Sequence, residues 1–371
     1  MIRILQVVGG LSRGGTESVL MNFYRQIDRT KVQFDFISHH PELNDYEQEI
    51  INLGGKIYYV PEFTGSNIVF YILAWEKLFQ ENPEYKIIHS QIWSTAGIFL
   101  SLAKRYGLYT IAHSHSVSAR SGISAIGRLT LRKLFPIKAD HYMACSYAAA
   151  KWLFGDTIIK GKNFNILPNA INLDLFRFQK ETRIRIREKY GVEGDIVVGH
   201  VGMFDANKNQ EFIVDLFHIF HSLKPTSILW LVGGGPSIAR VMQKANKYGD
   251  PVVFWGVRED IPELLQGMDI FLFPSNFESF GNAALEAQAA GLKVICSDTI
   301  SDEVAVTNQI TFLPLTKPEK WIAEMIKSIN TKRQDTYYQL SDTKYDIKSS
   351  AAWLQNFYLK CLNDQQQYRH L

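Results

Sequence analysis

The sequence predicts an α/β protein of two doubly wound domains, and three observations carry that prediction. Short apolar runs recur along the 371 residues, separated by stretches with helical spacing, which is the pattern of a parallel sheet covered on both faces. The series runs twice, with a charged helical stretch, "TRIRIREKYGV", between the two halves. The length and a hydrophobic content of 46% suffice for two ordinary cores.

The first half opens with "IRILQVVG", an apolar run that ends in glycines. It is followed by "TESVLMNFYRQI", where Val19, Leu20, Phe23, Tyr24 and Ile27 recur at helical spacing. Strand-like runs continue as "VQFDFIS", "KIYYV", "KIIHS", "LYTIAHS" and "HYMACS", and this half ends near "NILPNAINLDLF". The second half reads "DIVVGHVG", "SILWLVGGG", "VVFWGV", "DIFLFPS" and "KVICSD", again with helices between. The expected domains are 1–175 and 176–348, and no short-period repeat interrupts them.

Composition narrows the class. No apolar run approaches the ~18 residues that span a bilayer, and "MIRILQVVGG" lacks the regions of a signal peptide, so a cytoplasmic location is expected. Cys145, Cys296 and Cys361 form no C-x-x-C pair and are expected to be free thiols. The formal charge of +3 hides an uneven distribution, since residues 101–170 hold ten basic and two acidic side chains. Within it, "RLTLRKLFPIKAD" interleaves Arg128, Arg132, Lys133 and Lys138 with Leu129, Leu131, Leu134, Phe135 and Ile137. This segment, between residues 120 and 138, suits an anionic membrane surface or phosphate groups; a solvated basic helix face is the alternative. Nucleic acid is not an expected partner, because the basic segment is short.

Ligands of open α/β sheets bind beyond the carboxyl ends of the strands, so the loops there hold the candidates. "GGLSRGGTE" places Gly14 and Gly15 before a helix N-terminus, where a phosphate or a tight turn would fit, and Glu17 would partly satisfy the helix dipole. "TIAHSHS" sets His113 and His115 on one face of a strand end. No carboxylate or cysteine completes a metal set there, so hydrogen bonding is the expected role, with substrate contact open. "GHVGMFDANKNQEF" offers Gly202 and Lys208, the latter either a phosphate ligand or a solvated lysine. "LVGGGPS" could cradle a ligand or turn the chain. In "PSNFESFGNAALEAQAAG", Glu278 falls in a loop and Glu286 in the following helix, with Asn282 as the expected N-cap and free N–H groups at Gly281, Asn282 and Ala283.

Glu278 and Glu286, separated by seven residues and set within "PSNFESFG" and "EAQAAG", resemble the E-x7-E signature of retaining GT-B glycosyltransferases of the large bacterial family four. Most of the chain follows the same pattern, including "VGMFDANKN", "LVGGGP" and "FWGVREDIPELL", and it looks most like members that build exopolysaccharides and capsules. The resemblance implies two Rossmann-like domains facing a central cleft, the first for acceptor and the second for a nucleotide-sugar, with a C-terminal helix, 349–364, crossing back. It implies that Glu286 holds the ribose, Glu278 the transferred sugar near its 3- and 4-hydroxyls, and Lys208 the pyrophosphate. Backbone groups at Gly14, Gly15, Gly202, Ser279, Phe280, Gly281, Asn282 and Ala283 would surround the donor, and Val257 and Arg258 the base. His113 would lie against the donor sugar and acceptor, with His115 near the acceptor.

No cofactor and no metal are expected, since a lysine and helix N-termini can stabilise the leaving diphosphate and the chain has no D-x-D. The expected donor is a UDP-sugar and the expected acceptor a saccharide or polyprenyl-diphosphate-linked saccharide, at the inner face of the plasma membrane. One position departs from the family pattern: Met203 stands where many relatives carry an arginine beside the pyrophosphate, which removes a charged contact worth about 1.5–3 kcal/mol. Arg13 is a candidate substitute. A nicotinamide-dependent dehydrogenase would need G-x-G-x-x-G and an acid at the end of the second strand, whereas Asp35 lies within it. A nucleotide-sugar epimerase of the same fold and a non-catalytic sugar-nucleotide-binding protein are the competing readings.

Overall fold

A computed structural model describes residues 1–42, 44–117 and 123–369, so residues 120–122 of the basic segment lie outside the described residues. The chain divides into two compact units, one of residues 1–171 with 343–371 and one of residues 172–342. Each is built on a parallel sheet.

The first sheet holds β1 (Ile2–Gly10), β2 (Val32–His40), β3 (Ile57–Tyr59), β4 (Ile87–Ser90), β5 (Tyr109–Ser114), β6 (His141–Ala144) and β7 (Phe164–Ile166), in the order β3-β2-β1-β4-β5-β6-β7. Alternate residues of these strands feed two separate cores, which is why the runs read as continuously apolar. Ile4, Val8, Phe34, Phe36, Ile87 and Ile111 face the helices Gly15–Gln26 and Ile347–Arg369, while Leu5, Val7, Ile37, Ile88 and Ala112 face Ile68–Glu81 and Ala96–Arg105. The C-terminal helix is thus an integral wall of the first unit, with Leu354 and Tyr358 fully buried in it.

The second sheet holds β8 (Ile196–Val201), β9 (Ser227–Val232), β10 (Val252–Gly256), β11 (Ile270–Phe273), β12 (Lys293–Ser297) and β13 (Ile310–Leu313), in the order β10-β9-β8-β11-β12-β13. In both sheets the order reverses once, between β1 and β4 and between β8 and β11. Such a reversal splays the loops on either side and opens a crevice at the strand ends. The three loops after β8, β9 and β10 are bound backbone to backbone: Gly202 N–H donates to Val232 O at 3.0 Å, Phe204 N–H to Gly234 O at 2.8 Å and Gly233 N–H to Gly256 O at 2.8 Å.

Gly233 shows why this stretch is glycine-rich. Its φ is +136°, and a Cβ there would stand 2.0 Å from the carbonyl oxygen of Gly202. Gly233→Ala is therefore expected to lower the unfolding free energy by more than about 1 kcal/mol, read as a fall in the urea midpoint. An unchanged midpoint would mean that the two loops do not depend on this approach.

Candidate functional site

In the second unit the candidate residues meet at the strand reversal. Lys208 lies in the loop after β8 and Glu278 in the loop after β11, and the lysine Nζ stands 2.5 Å from Glu278 Oε1. Their side chains are 20% and 13% exposed, so the pair is partly screened from water and its attraction exceeds that of a surface pair. The loops are fastened together independently of these charges. Asn207 donates to Phe277 O at 2.9 Å and accepts from Phe277 N–H at 3.0 Å, and Asn276 donates to Ala206 O at 3.0 Å. Asp205 Oδ1 accepts from the N–H groups of Asn207 and Lys208, each at 3.0 Å, an Asx turn that sets the direction in which Lys208 leaves the chain. The role of the "FDANKN" and "PSNFE" stretches is to hold one lysine against one glutamate.

Beneath this pair is a residue that the sequence reading did not single out. His200 in β8 is fully buried; its Nδ1 bonds Leu272 O at 2.9 Å and its Nε2 faces the Gln210 amide at 3.3 Å. The carbonyl makes Nδ1 the protonated nitrogen, so the ring is neutral, and burial pushes its pKa down to about 4. Gln210 also donates to Met203 O at 2.9 Å, which fixes the backbone where the arginine of the family pattern would stand. Met203 itself is 49% exposed. The signal was a polar residue on a central strand, which periodicity alone does not interpret.

The helix Asn282–Ala289 begins one residue earlier than expected, at the residue read as its cap. Gly281, not Asn282, is the N-cap, because φ there is +101° and a Cβ would press the Phe273 ring at 3.1 Å. Asn282 becomes the first helical residue, and Ala283 follows in the first turn. Glu286, further along this helix, has no side-chain partner among the described residues, and burial alone pushes its pKa up to about 7. Ser279 and Phe280 complete the loop between the two acids, with Phe280 buried. Val257 is 79% exposed after β10, and Arg258 is held by Asp260 through bonds of 2.8 and 2.6 Å.

In the first unit Gly14 caps the helix Gly15–Gln26, and the Glu17 carboxylate folds back so that a Cβ on Gly14 would meet its Oε2 at 2.5 Å. The acid therefore lies over the helix N-terminus, as the dipole favours, and burial raises its pKa. Arg13 is exposed, and its N–H bonds Asp45 at 3.0 Å. Asp35 is spent on structure, bound by Arg3 through two bonds of 2.5 Å and by the Tyr85 hydroxyl at 2.6 Å, so it is not a ribose ligand.

His113 and His115 are brought together, with ring centroids 4.0 Å apart, and His113 also stacks on His89 at 5.3 Å. Among the described residues no group of three His, Cys, Asp or Glu side chains could hold a metal. His113 is buried, and its nitrogens make no hydrogen bond of ordinary geometry; His115 is partly exposed.

A chain of buried side chains fixes the tautomers. Gln91 donates to Gln6 Oε1 at 2.8 Å, and Gln6 donates to the Tyr358 hydroxyl at 3.1 Å, so that hydroxyl donates to His89 Nδ1 at 2.6 Å. At the other end His115 Nε2 stands 2.7 Å from Gln91 Oε1, an acceptor, and must carry the proton. His115 is thus neutral with a bare Nδ1, and burial holds its pKa down at about 4.

The basic segment forms the helix Ile123–Leu134, docked through Leu131. Ile126, Leu129 and Leu134 are exposed, as are Lys133 and Lys138; Arg132 lies over the Trp152 ring at 5.4 Å, and Arg128 is half-buried. Among the described residues no helix is long and apolar enough to cross a membrane.

Two doubly wound parallel sheets give the chain the architecture of the GT-B glycosyltransferases. Residues 13–175 match the family described as Glycosyltransferase Family 4 and residues 195–331 the one described as Glycosyl transferases group 1; the chain belongs to these glycosyltransferases. It is 31% identical over 368 residues to EpsF of Bacillus subtilis, itself a proposed glycosyltransferase, with 96% of each chain covered. It is 24% identical over 242 residues, 62% of each chain, to the UDP-Gal:α-D-GlcNAc-diphosphoundecaprenol α-1,3-galactosyltransferase of Escherichia coli. Among solved structures, HepE of Anabaena in complex with UDP and glucose aligns with a TM-score of 0.77 over 96% of this chain and 99% of its own, at 17% identity, a likeness of fold.

Tyr358→Phe tests the hydrogen-bonded chain. Removing the hydroxyl strands Gln6 and His89 and is expected to cost about 1–3 kcal/mol of stability. The imidazole ¹⁵N shifts should show His89 changing tautomer while His115 stays neutral above pH 5. An unchanged His89 spectrum would contradict the assignment.

Proposed function

We propose that this glycosyltransferase moves a hexosyl or N-acetylhexosaminyl unit from a UDP-sugar to a saccharide or lipid-linked saccharide, with retention of configuration and without a metal, in cell-surface polysaccharide synthesis. The observation that carries the reading is the unpartnered, half-buried carboxyl of Glu286 in the helix that follows the Lys208–Glu278 pair. A carboxyl stripped of protein partners is unfavourable unless a ligand supplies them, and the two hydroxyls of a ribose are suited to do so. The relatives support the donor and acceptor classes, through the UDP and glucose bound by HepE and the diphosphoundecaprenol acceptor named for the E. coli enzyme.

In this reading the diphosphate takes the Lys208 ammonium from Glu278, and the N–H groups from Gly281 to Ala283 share its charge. Glu278, released, accepts from the sugar hydroxyls. The acceptor oxygen bonds the anomeric carbon on the face from which the diphosphate departs, and the acceptor proton passes to the departing phosphate oxygen. Hydrogen bonds from the sugar hydroxyls lower the power of Glu278 as a nucleophile and favour this front-face route over a covalent adduct. Of the histidine pair, His115 is the ring that reaches the surface, and the acceptor-facing role is placed there, with His113 behind it. Met203 leaves one donor contact fewer, so a non-catalytic sugar-nucleotide-binding protein is the second reading.

Calorimetric titration with UDP-, GDP-, ADP- and dTDP-sugars, with and without EDTA, separates these. A UDP-sugar should bind in EDTA and fail to bind Glu286→Ala. Because ligand hydroxyls favour the carboxylate, a Glu286 pKa near 7 should fall on binding, so affinity should rise about tenfold between pH 6 and pH 8 and lose that dependence in Glu286→Gln. Product analysis should show sugar on an acceptor; isomerised donor would indicate an epimerase, and binding without turnover the non-catalytic reading. The exposed apolar and basic residues of Ile123–Leu134 are proposed to rest on an anionic membrane. Replacing Arg128, Arg132, Lys133 and Lys138 by glutamine should weaken binding to phosphatidylglycerol vesicles, and unchanged binding would remove that role.

A further inference from the structure

The second unit holds a cavity of about 230 Å³ at the edge of its sheet opposite to Lys208 and Glu278. Asp269 immediately precedes β11, Lys293 opens β12 and Gln309 precedes β13, so the wall is made at the amino ends of the strands. Arg183, Arg333 and Lys332 complete it. Four cations therefore face one carboxylate, and that carboxylate is already engaged: Oδ1 by Arg183, and Oδ2 by Arg187 at 3.0 Å and the Val197 N–H at 2.8 Å.

The arginines have a structural reason to be there. Arg183 donates to Gln266 O at 3.0 Å and Met268 O at 2.8 Å, and Arg333 donates to Leu265 O at 2.6 Å, Gln266 O at 2.8 Å and Ala290 O at 2.7 Å. These are carbonyls at helix C-termini, where positive charge is favourable. The compensation is incomplete, since burial and the nearby Arg183 hold the Arg333 pKa down at about 9. The lysines are held less closely. Lys293 has a side chain only 18% exposed, its nearest acid is Glu324 at 3.8 Å, beyond hydrogen-bond reach, and its ammonium donates no hydrogen bond among the described residues. Lys332 likewise has neither an ion pair nor a hydrogen bond among the described residues. Two ammonium groups with all their donors free thus line a cavity whose carboxylate is spent.

We propose that this cavity binds a small phosphate-bearing anion, with Lys293 and Lys332 as its direct ligands and the two guanidiniums supplying the field. A phosphate dianion offers oxygens within hydrogen-bond reach, which both lysines lack, through charge-assisted hydrogen bonds. The cavity is smaller than the ~300 Å³ at which pockets for drug-sized ligands begin, which points to inorganic phosphate or a sugar phosphate rather than a nucleotide. Its place on the far edge of the sheet makes it a separate site from the one assigned to the donor, and it does not depend on that assignment.

Calorimetric titration of the full chain with inorganic phosphate, and in parallel with glucose 6-phosphate, tests it. The expected result is saturable binding of at least one probe, weakened about tenfold or more in Lys293→Met/Lys332→Met and changed by less than about twofold in Lys208→Ala. The tighter probe identifies the free or the sugar-linked phosphate as the ligand. Among the described residues neither lysine donates a hydrogen bond, so the double variant is expected to fold; should it not, Lys332→Met alone, at an exposed position, should weaken binding about threefold or more. No saturation by about 20 mM of either probe, or a loss in Lys208→Ala equal to or greater than that in the lysine variants, would overturn the site.

Discussion

One ion pair, Lys208 with Glu278, is the feature around which the second unit is arranged. An ammonium and a carboxylate at 2.5 Å, each less than a quarter exposed, are held where the strand order reverses. Such a pair gains little over two solvated ions, because desolvation offsets the attraction, but removing one partner leaves the other stranded. That asymmetry suits a site in which a ligand replaces one partner with another of the same sign. A diphosphate can take the lysine and sugar hydroxyls can take the glutamate, so neither charge is ever exposed alone. The neutral His200 below adds no second positive charge, and the Asn207 and Asn276 bonds hold the loops whether or not the pair is formed.

The first unit solves a different problem, the burial of polar side chains between strands. Gln6 lies in the middle of β1, His89 within β4, and Gln91 and His115 just beyond the ends of β4 and β5, and Tyr358 reaches this chain from the C-terminal helix. Every link has a direction, which leaves His115 neutral with one free nitrogen. A residue 352 positions from Gln6 in the sequence thus sets the proton inventory of a strand end. Loss of any one member costs more than its own bond, because the buried neighbours are left without a partner.

Much of this was legible in the sequence, and the parts that were not share a cause. Continuous apolar runs marked the buried strands, but β7 and β13 escaped because Phe164–Ile166 and Ile310–Leu313 are short and only partly buried, so their runs are weak. Glu278 was placed in a loop and Glu286 in a helix from local spacing, and both lie so. The Lys208–Glu278 bond, the Asn207–Phe277 clasp and the two Tyr358 bonds join residues 70 to 352 positions apart along the chain, and no period reports such pairs. The N-cap moved from Asn282 to Gly281 because the Phe273 ring, not local propensity, decides which residue fits.

The exchange of partners at Lys208 is the central claim, and a structure of the protein with UDP bound tests it most directly. The account predicts Lys208 Nζ within hydrogen-bond distance of a diphosphate oxygen, its bond to Glu278 broken and Glu286 bonded to the ribose. A bound UDP with Lys208 still on Glu278 and Glu286 without a partner would contradict it.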